Sequence, residues 1–107
     1  MNIDKNRIKN AINDIRKDIP HKYAGNSRNR VYASLVVLHC EEWALSKEDW
    51  SDNIDEEKAN CKKHIKVKLK QESRYGSLLI SILLPIVFKL VAEWIINKIL
   101  EKIYSDT

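Results

Sequence analysis

The stretch GSLLISILLPIVFKLVAEWIINKILEKIY, residues 76–104, decides the architecture. From Leu78 to Phe88 only Ser81 is polar. Beyond it, Lys89, Glu93, Asn97 and Glu101 recur every four residues, with Lys98 and Lys102 beside them. This spacing predicts a long helix, apolar over most of its circumference, with a narrow polar stripe along its second half. Lys89 with Glu93, and Lys98 with Glu101, stand one turn apart and can pair. Pro85 interrupts the run. Its ring removes one backbone donor and crowds the preceding turn, which predicts a kink at Ser81–Pro85 or a helix that begins near Ile82.

A bilayer span takes about 20 predominantly apolar residues. The charge-free part, residues 78–88, rises only about 16 Å at about 1.5 Å per residue. Extending it to Leu100 draws Lys89, Glu93, Asn97 and Lys98 into hydrocarbon, at about 2.5–3.5 kcal/mol for each charge near the centre. Burial against protein suits the segment better. Leu83, Val87, Leu90, Trp94 and Ile95 are the candidate interaction surface, and a homo-oligomer or larger protein assembly is the expected partner.

Working outward, a basic block precedes this helix. Residues 61–75 carry Lys62, Lys63, Lys66, Lys68, Lys70 and Arg74 against Glu72 alone, and residues 51–60 carry four acids against Lys58. Lys62, Lys63, Lys66, Lys70 and Arg74 form a candidate basic patch on one broad helical face. Beside an amphipathic helix, such a patch fits an anionic membrane surface. Nucleic acid is a weaker expectation, because few aromatic or amide side chains interleave and the acidic block repels the same phosphates.

Ile54, Cys61, Ile65 and Leu69 share a narrow face, which predicts a helix from Asn53 to Gln71. Strict alternation of Ile65, Val67 and Leu69 with lysines offers a strand over 64–70 instead, but no second strand is available to pair with it. Earlier in the chain, Ile8, Ile12, Ile15 and Ile19 mark one helical stripe, capped by Asn2 or Asp4 and stopped at Pro20. A second helix over Arg28–Leu45 carries two stripes, Val31/Leu35/Leu38/Leu45 and Tyr32/Val36/Cys40/Trp43, capped by Asn26 or Ser27. Ser46-Lys47-Glu48-Asp49 resembles a capping box that opens a further turn. Trp50 after it is expected in the core.

The fold class expected is therefore all-α, a domain of three to four helices. Residues 1–75 form an amphipathic region with an acidic then a basic stretch, and residues 76–107 form the C-terminal helix. Two glycines and two prolines in 107 residues argue against a turn-rich β fold.

The chemistry is sparse. His39, Cys40, Cys61 and His64 are ligand types, but His39 and Cys40 point about 100° apart on a helix and do not share an ion. Cys61 lacks the oxyanion-forming element that nucleophilic catalysis needs. Glu41-Glu42 and Glu56-Glu57 are adjacent pairs on different sides of a helix and read as solvated faces. Gly25 and Gly76 build no phosphate loop. No enzyme activity, metal or cofactor is expected. Residues 1–19 carry no secretory signal, so a cytoplasmic or virion location with reduced Cys40 and Cys61 is expected.

Three segments of the C-terminal region resemble small uncharacterised bacteriophage proteins. They are Cys61-Lys-Lys-His-Ile-Lys-Val-Lys-Leu-Lys70, Arg74-Tyr-Gly-Ser77 and, after the Leu/Ile-rich run, Lys89-Leu-Val-Ala-Glu-Trp-Ile-Ile96. The resemblance implies a virion-associated or infection-associated protein and carries no activity with it.

Overall fold

The computed structural model describes residues 1–72 and 85–105. Helix α1 spans Lys5–Lys22, α2 Ser27–Ser46 and α3 Ile54–Glu72; residues 85–87 lead through a π-helical turn, Phe88–Ala92, into α4, Glu93–Ser105. No strand occurs among the described residues. The chain is a small all-α domain. The strand alternative over 64–70 is replaced by helix α3. The α1–α2, α2–α3, α3–α4 and α4–α1 pairs all pack together, and α2 also reaches α4 across the bundle.

The starts of α1, α2 and α3 are each set by a local hydrogen bond. Asp4 Oδ1 accepts from the Asn6 N–H, Asn26 Oδ1 from the Asn29 N–H and Asn53 Oδ1 from the Asp55 N–H, at 2.9, 3.0 and 3.0 Å. Such caps satisfy donors that the first turn leaves open. Gly25 (φ 76°) supplies the left-handed residue that reverses the chain between α1 and α2.

Two local expectations are corrected. Pro20 does not stop α1, which runs on to Lys22 with the proline inside it. Only one helix donor is lost there, and the Tyr23 N–H still donates to the Ile19 carbonyl at 3.0 Å. Ser46 does not open a new helix either. It ends α2, with its hydroxyl donating to the Trp43 carbonyl, and residues 47–53 are loop. The helix expected over 76–104 is described from Pro85 onward; its beginning and the Ser81–Pro85 kink lie outside the described residues.

The core is built largely of isoleucine. Ile8, Ile12, Ile15 and Ile19 of α1 are all buried, as are Cys61 and Ile65 of α3. The closing helix buries Val87/Phe88, Val91/Ala92, Ile95/Ile96, Ile99/Leu100 and Ile103, a repeat of four. A four-residue repeat overshoots the turn of about 3.6 residues, so the buried stripe drifts around the axis. The wider π turn at Phe88–Ala92 takes up part of that drift.

Of the two stripes on helix α2, one is buried more fully than the other. Val36, Cys40 and Trp43 are buried together with Ala33, Val37 and Ala44, while Val31 and Leu38 are 66% and 43% exposed. The small residues Ala33 and Ala44 thus face inward along with Trp43.

The α2–α3 loop is knit from both sides. Trp50 is 2% exposed and meets Trp43 and Tyr104 edge-on, at 5.3 and 6.2 Å between ring centroids. Glu57 is buried in the first turn of α3. It accepts from the Ser51 N–H at 2.9 Å and from Asn60 at 3.0 Å, with Lys47 Nζ 3.0 Å away. Sequence spacing placed Glu57 on a solvated face, and this is corrected. The loop folds over the start of α3 and brings Lys47 and Ser51 to the carboxylate. Tyr104 donates its hydroxyl to the Ser51 carbonyl at 2.6 Å, tying the end of α4 to the same loop.

Candidate interaction surface

The closing helix lies against α1, α3 and, for part of its length, α2. That contact decides the fate of the five residues expected to form a surface. Ile95 is fully buried and Val87 is 6% exposed, so both belong to the chain's own core. This corrects the expectation for them. Three neighbouring helices cover this helix. Trp94 is half-buried, edge-on to Tyr23 at 6.1 Å with Lys22 Nζ 5.3 Å above its ring. Leu90 is 43% exposed, and Ile86 one turn before it is 41% exposed. Leu83 lies outside the described residues.

The predicted basic patch divides. Lys62 Nζ pairs with Glu93 at 3.1 Å. Lys66 sits 5.1 Å above the Phe88 ring. Lys66 and Lys70, with Pro85 and Phe88, line an open groove of about 370 Å³. Lys63 is exposed and Arg74 lies outside the described residues. Lys66 and Lys70 therefore flank Pro85 and Phe88, while Ile86 and Leu90 of the same helix are exposed.

The polar stripe of that helix is in place. Lys89, Glu93, Asn97 and Glu101 are all exposed, and Lys58 approaches Glu101 at 4.0 Å. Exposed ion pairs of this kind contribute about 0–1 kcal/mol each. They orient the stripe to water more than they hold the fold. Val31 and Leu38 of α2 and Val67 of α3 also stay exposed. Sequence spacing marked Val31 and Leu38 only as one of two helical stripes.

Among the described residues, no three His, Cys, Asp or Glu side chains converge as a metal ion requires. No helix among them is long and apolar enough to cross a membrane. Cys40 and Cys61 are buried free thiols. His39 is buried with Nδ1 3.4 Å from Glu42. On α3, His64 Nε2 is buried and has no hydrogen-bond partner among the described residues.

These groups define a pH response. Burial holds His64 below the usual histidine value of 6.5, helped by Lys68 and His39 and opposed by Glu42. The unfolded chain then binds protons more readily, so stability is intact above pH 6.5 and is lost as pH falls below it. Glu57 acts lower. Burial pushes its carboxyl up, but hydrogen bonds from Asn60, Ser51 and Lys47 and the Lys47 charge together hold it below 4.5. Its contribution is present above that value and is lost on further acidification. As pH falls below about 7, the thermal midpoint should fall in two stages. His64→Gln should remove the upper stage and leave the lower. A midpoint that rises between about pH 6.5 and 5.5 would contradict this.

No protein-family model, curated protein or solved structure matches the chain.

Proposed function

We propose that this chain is a non-enzymatic structural component that assembles with copies of itself through the exposed apolar edge at residues 86–90 of its C-terminal helix. The observation that carries this is the pair Ile86 and Leu90. They are 41% and 43% exposed, one turn apart, on a helix whose opposite side is core. A two-fold contact would place the same edge of two chains face to face and cover both residues. The resemblance of residues 61–96 to small phage proteins supports a role as a virion component. Lys89, between Ile86 and Leu90, provides the test. In a two-fold contact, a short amine-reactive cross-linker joins Lys89 of one chain to Lys89 of another. Mixed isotope-labelled and unlabelled protein identifies that link. Its absence, with only intrachain links formed, counts against the proposal.

A second reading is an anionic membrane surface. It is favoured by Lys66 and Lys70, which line a groove with Pro85 and Phe88, on a chain that also exposes Ile86 and Leu90. Flotation with vesicles rich in anionic lipid tests it, and binding should weaken as salt rises. Protein that stays at the bottom of the gradient at low salt excludes it. Nucleic acid has less support, since Lys62 is matched by Glu93 and only part of the patch is left for phosphates.

A further inference from the structure

We propose that Cys40 and Cys61 are a redox couple, a dithiol that a hydroperoxide converts into a disulfide fastening α2 to α3. The two sulfurs lie 3.5 Å apart on facing helices. Both residues are 0% exposed, and both are free thiols. A disulfide needs about 2.05 Å between sulfurs. The remaining gap of about 1.5 Å is within reach of small side-chain rotations on helices that already hold the two groups face to face.

The chemistry balances with one peroxide. The thiolate of one cysteine attacks a peroxide oxygen, the O–O bond breaks, and an alcohol or water leaves with the thiol's proton. The attacking sulfur is now a sulfenic acid. The second sulfur attacks it, the S–O bond breaks, and water leaves with the second thiol's proton. Two cysteines have lost two protons and two electrons, and the peroxide has been reduced. Cys40 is poorly prepared for the first step while the bundle is closed, because its bond with Cys61 and its burial hold the thiol protonated. Oxidation therefore follows transient opening of the α2–α3 pair. Once formed, the bond closes a loop that contains residues 47–53 and resists the next opening. The couple is a latch set by oxidant when the chain breathes.

The test is intact-mass and thermal analysis of the full chain after hydrogen peroxide treatment in sub-denaturing urea. The expected product is monomeric and lighter by two hydrogens. Its non-reduced peptide map joins the Cys40 and Cys61 peptides. Its thermal midpoint is raised, and dithiothreitol reverses the change. Cys61→Ser, or Cys61→Ala should the serine variant fold poorly, loses both the mass change and the raised midpoint. Oxidation to sulfinic or sulfonic acid without a cross-link, disulfide-linked dimers, a lowered midpoint in the cross-linked chain, or no reaction at all would overturn the proposal.

Discussion

Trp50→Ala should lower stability by about 3–5 kcal/mol, the range for deleting a large buried aromatic. Trp50 lies in a loop, yet it is 2% exposed and is the centre of a three-ring contact with Trp43 and Tyr104. It fills the space where the end of α2, the start of α3 and the end of α4 meet. Lys47 Nζ lies 5.2 Å over its ring and 3.0 Å from Glu57, so the same substitution loosens a buried ion pair. Domains of this kind have about 5–15 kcal/mol in total. The variant should consequently lose a large part of its folded margin. Urea unfolding measures it: the midpoint falls while the slope stays that of the parent, as expected for lost stability without a changed unfolded state. A loss below about 1 kcal/mol would show that the loop does not anchor the bundle.

Ile95→Ala and Leu90→Glu should separate core from surface on a single helix. Ile95 is fully buried, so truncating it leaves a cavity and costs about 2–5 kcal/mol. Leu90 is 43% exposed, and a charge there should change monomer stability by no more than about 0.5 kcal/mol. Association should respond in the opposite order. Leu90→Glu introduces a like charge at each side of a two-fold contact and desolvates it there, so self-association is lost. Chemical unfolding at low concentration, set beside sedimentation at high concentration, reads both effects. A Leu90→Glu chain that unfolds as easily as Ile95→Ala would place Leu90 in the core and remove the proposed edge.

Much of this architecture is legible in the sequence because periodicity and capping are local. The α1 stripe Ile8, Ile12, Ile15 and Ile19 is buried as its spacing requires, and Asp4 and Asn26 cap the helices they precede. Cys61 and Ile65 lie on the inner face of α3, as a helical pattern of the basic block implies. What the sequence does not carry is which side of a mostly apolar helix meets a neighbour. On α2 both stripes are apolar, yet Val31 and Leu38 of one face out while Val36, Cys40 and Trp43 of the other are buried. On the closing helix Val87 and Ile95 are indistinguishable from Leu90 by residue type, and only the positions of α1, α2 and α3 assign them to the core. Glu57 is buried because a loop six residues before it returns to donate hydrogen bonds. The Cys40–Cys61 contact depends equally on how α2 and α3 pair.

Light scattering during size exclusion, run over a series of loading concentrations, tests the central claim most directly. The parent chain should elute above the monomer mass and shift toward monomer on dilution, while the Ile86→Glu/Leu90→Glu double variant elutes as a folded monomer throughout. A parent chain that stays monomeric at every concentration, or a double variant that associates as the parent does, would contradict assembly through this edge.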